Sequence, residues 1–156
     1  MNGFSVALLM AASLARGAQT PSQIANVAFR YETGGGLEVQ QIEILQSGEF
    51  TFEYENDVDA PLIVHGVARI ENDLIRLYPN ESLSGSAFWN TPRRLVPVAL
   101  GDRLYLVRPE DRDYFCADVR ENTEPRATDL WGQWLLRVDD WKKEPGKSGK
   151  VPFCSQ

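Results

Sequence analysis

The chain has 156 residues, enough for one domain with a real core and too few for a comfortable two. Hydrophobic residues at 43% and charged residues at 24% are values of a globular protein and exclude a disordered one. A formal net charge of −6, from 16 Lys and Arg against 22 Asp and Glu, argues against a general binder of nucleic acid or anionic membrane, and one histidine with two cysteines cannot assemble a Cys/His zinc site.

Residues 4–15 read FSVALLMAASLA without a charge. That run is short of the ~20 apolar residues a bilayer-spanning helix needs, but it suits the apolar region of a secretory signal. Small residues at Ala15 and Gly17 fit cleavage after Gly17, although the opening lacks Lys and Arg; a buried or amphipathic N-terminal helix is the competing reading. The expectation is a signal peptide over 1–17, one β-rich domain over 18–156, and a periplasmic or secreted location with no integral membrane segment after cleavage.

The body of the chain carries the period-2 pattern of antiparallel strands. Gly34–Gly36 opens LEVQQIEIL (37–45), where Leu37 and Val39 share one face and Ile42 and Ile44 the other, a phase slip at Gln40–Gln41 that predicts a bulge. Ser47–Gly48 turns into EFTFEYE (49–55), with Phe50, Phe52 and Tyr54 inward and Glu49, Glu53 and Glu55 on an acidic solvent face. LIVHGVARI (62–70) and DLIRLY (73–78) form a hairpin turning at Glu71–Asn72–Asp73. RLVPVAL and RLYLVR form another around Gly101–Asp102, which pairs Leu100 with Arg103, Val98 with Tyr105 and Val96 with Val107. Pro97 cannot donate to a ladder, so its strand lies at an edge or carries a bulge. Pro109, Glu110 and Asp111 start one short helix running to about Asn122, with Phe115, Cys116 and Val119 as its buried stripe. QWLLRV (133–138) is the last strand. Seven or eight strands with one short α-helix predict a mainly β fold, a small antiparallel β-barrel or sandwich.

In an oxidising compartment Cys116 and Cys154 are expected to pair, pinning a Pro-, Gly- and Lys-rich tail to the domain. Closing a loop of that size is worth ~4 kcal/mol on the chain-entropy view.

Two resemblances follow from these segments. The Gly-rich turn, long strand, SGEFTFEYE hairpin and ARIENDLIRL over residues 27–79 resemble the lipocalin-like meander of bacterial envelope proteins. RLYLV (103–107), Pro109, Glu110, Asp111, Phe115–Cys116, Val119 and Glu124–Pro125–Arg126 resemble small exported bacterial proteins of unassigned function. The resemblance implies a periplasmic or secreted β-protein and supplies no catalytic residue.

Charge is unevenly placed. Residues 32–59 hold eight acids and neither Lys nor Arg, residues 69–108 hold six Arg against four acids, and all four lysines follow Trp141. Glu49, Glu53 and Glu55 thus read either as a docking face for a basic partner or as a solvated sheet face. Glu53 and Glu55 as paired sugar-cleaving carboxylates lack the burial that raises one pKa, and His65 with Asp57 or Asp59 has no nucleophile context. The long loop PNESLSGSAFWNTPRR (79–94) exceeds an ordinary connection; Phe88 and Trp89 offer apolar contact and Arg93 and Arg94 could clamp an anion, or the two aromatics plug a barrel end.

These residues support an exported, non-enzymatic β-barrel that binds a small apolar or anionic ligand or an envelope partner, in a cavity lined by Phe50, Phe52, Tyr54 and the 88–89 loop. The alternative is an inhibitor- or immunity-type protein covering a basic enzyme or toxin with its acidic strands. A hydrolase using His65 or the carboxylates is the third reading. No cofactor, no metal and no nucleic acid are assigned.

Overall fold

A computed structural model describes residues 23–33, 37–121, 125, 134–143 and 151–155. The expected signal segment 1–17, Gly34–Gly36 and the start of the last predicted strand lie outside them. Eight strands close into an antiparallel up-and-down barrel: β1 (Val27–Glu32), β2 (Glu38–Ile44), β3 (Glu49–Asn56), β4 (Leu62–Glu71), β5 (Leu74–Pro79), β6 (Arg94–Leu100), β7 (Arg103–Val107) and β8 (Trp134–Arg137), which returns to β1. This is the mainly β barrel with a short helix that the alternation predicts. Closure leaves no long sheet edge exposed.

The two ends of the barrel differ. Tight turns at 45–48, 72–73 and 101–102 sit at one end, where Asn72 and Asp73 both take left-handed backbone and Gly48 and Gly101 supply positive φ. The other end carries the 57–61 loop, the 80–93 loop with a six-residue helix α1 (Gly85–Asn90), and the 108–133 connection with α2 (Arg112–Arg120), which a 3₁₀ turn at Pro109–Asp111 leads into. The helix expected over 109–122 is therefore two pieces, with Phe115, Cys116 and Val119 buried as the spacing predicts.

Register explains the burial. Phe29, Ile42, Phe52 and Val64 are successive partners across β1 to β4, and all four are buried inside the barrel. The predicted bulge at Gln40–Gln41 is absent: the β1–β2 register runs unbroken from Val27↔Ile44 to Glu32↔Val39. Val39 instead faces outward and Gln40 takes the inward place, fully buried, with its amide donating to Glu38 Oε1 at 2.8 Å. A satisfied amide replaces the apolar side chain that alternation demands there.

All five residues of β7 are buried because both of its faces are covered. Leu104 and Leu106 face the barrel, while Tyr105 faces outward beneath α2. Phe115 packs edge-on against Tyr105 and Trp134, each with ring centroids 5.5 Å apart, and Phe153 of the tail closes over it. The Cys116–Cys154 disulfide, spanning 38 residues, holds that tail to α2 as the pairing predicts, and Arg112 Nε donates to the Phe153 carbonyl at 2.8 Å.

Two positions tie the frame together. Gly66 sits between Phe50 and Pro79 in register, and a Cβ there would lie 2.2 Å from the Tyr78 carbonyl oxygen and 2.5 Å from the Phe50 ring. Because one obstacle is main chain, Gly66→Ala is expected to lower unfolding free energy by about 3 kcal/mol, read in urea melts at unchanged m-value.

Asp140, fully buried beyond β8, accepts from Leu104 N–H at 2.9 Å, Arg137 Nη2 at 2.8 Å and Lys143 Nζ at 2.6 Å. Burial pushes its pKa up, but the Arg137, Lys143 and Leu104 hydrogen bonds together bring it below the ordinary 3.8. The unfolded chain therefore protonates first as pH falls, so the stability from Asp140 is whole above pH 3.8 and lost as pH drops through the folded value. Asp140→Asn should cost about 3 kcal/mol at neutral pH, since it puts an amide N–H2 where the buried carboxylate accepts from Arg137, Lys143 and Leu104, and should flatten the acid limb of a stability–pH curve.

Candidate functional site

The loop-bearing end of the barrel gathers the polar and aromatic groups that the strands do not use. Arg108, one residue past β7, continues its inward-facing series and reaches across the mouth. Its Nη2 donates to the Asn90 carbonyl at 3.1 Å and approaches Gln40 Oε1 at 3.5 Å. Burial holds the Arg108 pKa below its ordinary value, against the opposing pull of Asp111, Glu110 and Glu38; it remains a cation at every working pH. Arg108 is thus a strap that fastens the last residue of α1 to the mouth. Asn56 orders the neighbouring loop, accepting from Val58 N–H at 2.8 Å and Asp59 N–H at 2.6 Å in an Asx turn.

The wall opens beside this strap. The β4–β5 ladder begins at Gly66↔Pro79, and the Asn80 N–H donates to the His65 carbonyl at 2.9 Å; beyond it the chain turns away into the 80–93 loop. Between Leu62–His65 on one side and residues 80–84 with Ala87 of α1 on the other lies a cleft of about 360 Å³. Leu62 and Val64, from the inward-facing series, join Leu83 and Ala87 to make its apolar floor. His65, Asn80, Glu81, Ser82 and Ser84 make a polar rim. A second hollow of about 400 Å³ lies at the tight-turn end, between Ile24–Asn26, the 44–48 turn and Ala68 and Ile70 of β4.

Each residue singled out in the sequence has a definite place. Phe88 and Trp89 lie on α1, exposed at 47% and 76%, so they do not plug the barrel. Their rings meet edge-on at 5.2 Å, and the Arg93 guanidinium stacks 5.4 Å over Phe88. Arg94 turns instead toward Glu110, 3.8 Å away, so the two arginines do not converge as one clamp. Glu49, Glu53 and Glu55 line the outer face of β3 and are exposed, opposite Val67, Ile63 and, on the β2 side, Val39. His65 Nδ1 lies 3.2 Å from Thr51 Oγ1, while the Asp59 carboxylate faces the Asn56 amide at 3.3 Å, so the structure couples His65 to a hydroxyl rather than to an aspartate. Phe50 and Phe52 are buried in the filled barrel, and neither cavity is lined by them or by Tyr54.

The sequence reading finds the 79–94 loop but misses Leu83, Ala87, Arg108, Gln40 and Asp140. Gln40 and Arg108 leave a trace, each being polar where an inward residue is due; Asp140 leaves none. Among the described residues no three His, Cys, Asp or Glu side chains gather as metal ligands, and no helix is long and apolar enough to cross a membrane. The chain matches no protein-family model, no curated protein and no solved structure.

If Arg108 fastens α1, Arg108→Met should leave the Asn90 carbonyl without its donor. The expected loss is about 2 kcal/mol of stability, with faster hydrogen exchange at the Thr91 amide, which closes α1 on Ala87, and unchanged exchange in β7.

Proposed function

We propose that this chain is an exported, non-enzymatic β-barrel protein that binds a small ligand in the cleft between β4 and α1. The observation that carries the reading is the cleft itself: about 360 Å³ with an apolar floor and a rim of hydroxyl, amide, imidazole and carboxylate groups. That combination of size and lining is typical of small-molecule sites, which run from about 300 to 1,000 Å³. Its position supports the reading too, since loops on a rigid scaffold are where binding residues concentrate. The Cys116–Cys154 bridge supports export, because disulfides persist in oxidising compartments. The lipocalin-like resemblance of residues 27–79 belongs to the same proposal.

The ligand class is small, in part apolar and in part hydrogen-bonding, since one carboxylate and no Lys or Arg line the cleft. The uncharged fluorophore 1-anilinonaphthalene is the probe that tests it. Saturable one-site fluorescence enhancement is expected, with amide shifts at Leu62–His65 and Ser82–Ala87. Ala87→Trp, which fills the cleft from the α1 side of its floor, should weaken binding by about tenfold or more at unchanged melting temperature. Ala25→Trp, in the hollow at the far end, should leave it unchanged. Binding that survives Ala87→Trp, or that shifts residues 24–26 and 44–48 instead, overturns the assignment.

A further inference from the structure

The cleft has a feature that a general ligand pocket lacks: one of its walls is an open strand edge. Two hydrogen bonds set the direction of the main-chain groups along β4. The Ala68 N–H donates to Gly48 on the β3 side, and the His65 carbonyl accepts from Asn80 on the β5 side. Main-chain groups alternate along a strand, so those of Leu62, Val64 and Gly66 point to β3 and those of Ile63 point toward β5. At the level of Ile63, β5 has already ended, because the ladder starts at Gly66↔Pro79. Among the described residues no main-chain group bonds to Ile63 from that side. Its N–H and C=O face the cleft, and the residue is 57% exposed.

An edge of this kind is completed by an added strand. Resting on the proposal that the cleft is the binding site, we infer that its ligand is an extended peptide that pairs with Ile63 as a short strand, alternating basic and apolar residues. The geometry dictates the alternation. A residue bonding to Ile63 through its main chain puts its side chain on the outer face with Ile63, where the charge is acidic: Glu81 lies on the rim and Glu53 is the register partner of Ile63 in β3. No Lys or Arg lies within 4 Å of either carboxylate among the described residues, nor does one line the cleft. The flanking peptide residues turn their side chains the other way, into the floor of Leu62, Val64, Leu83 and Ala87, which accepts a small branched apolar group.

The test uses the oxidised full chain and acetyl-Lys-Val-Lys-Val-Lys-amide. In the inferred pose the lysines carry the main-chain groups that face β4 and the valines carry those that face away. N-methylation of the lysine nitrogens should therefore weaken binding by about tenfold or more, whereas N-methylation of the valine nitrogens should change it by about twofold at most. Replacing the lysines by glutamates should abolish binding, and added salt should weaken the parent peptide. Hydrogen exchange of the Ile63 amide should slow at saturation. Equal loss from the two methylation patterns, or unchanged exchange at Ile63, overturns the inference. If the anilinonaphthalene probe occupies the cleft and the peptide does not bind, the peptide inference falls and the ligand site stands; if neither binds, both fall.

Discussion

An eight-stranded barrel has an interior just wide enough for its own side chains to fill, and the rest of this structure follows from that limit. Phe29, Ile42, Phe50, Phe52 and Leu106 meet there with essentially no exposure. Gly66 is small because the Phe50 ring occupies the place where its side chain would stand. An interior filled in this way sends recognition to the ends of the barrel and to wherever the wall parts. Both cavities lie in such places, one against the tight-turn end and one in the wall beside the long loops.

The outside of the barrel is governed by a second burial problem. Strands β6 to β8 are apolar on both faces, so Tyr105, Val107 and Trp134 would be exposed without a cover. Phe115 of α2 and Phe153 of the tail supply it, and the disulfide fixes the cover in place by removing chain entropy worth about 4 kcal/mol. On the opposite wall, β2 to β4, the outward positions are exposed or half-buried, and Glu43, Glu49, Glu53, Glu55 and His65 stand there among Val39, Ile63, Val67 and Arg69. One molecule thus has a greasy, covered back and an acidic, open front. The net charge of −6 averages over the two.

What the sequence makes legible is whatever depends on period and turn chemistry. EFTFEYE shows both its buried and its acidic face, Asn72–Asp73 its turn, and Leu100–Arg103 its register, because each is decided by neighbours in the chain. Gln40 is misread for a clear reason. A polar residue at an inward position looks like a slipped phase until Glu38 and Arg108 are seen to meet its amide, and Arg108 is 68 residues away. The cleft is hidden for a similar reason: it is a gap between Ile63 and Ser82, and nothing local to either segment announces the other. The length of the 79–94 loop was the only sign, and it pointed to Phe88 and Trp89 because large aromatics are the visible residues, whereas Leu83 and Ala87 do the lining.

The gap opens where β5 ends. Along β5 the odd-numbered residues turn their main-chain groups toward β6, as the Leu77 N–H donating to the Arg93 carbonyl shows. The β5–β6 register pairs Ile75 with Leu95 and Arg76 with Arg94, and past the Leu77 bond the next odd residue is Pro79, which has no N–H to give toward β6. Pro97 carries the same deficit on β6, but there the missing donor faces a stretch that β5 does not reach, and nothing is lost. Both prolines thus stand where the β5–β6 ladder has no bond to lose. Pro97 lies harmlessly at a local edge, while Pro79 stands at the end of β5, where Asn80 makes one more bond to His65 and Ile63 is left without a strand partner on that side. Arg108 then holds the far end of the loop, donating to the Asn90 carbonyl at the last residue of α1, so the segment that leaves β5 past the open edge is fastened where α1 ends.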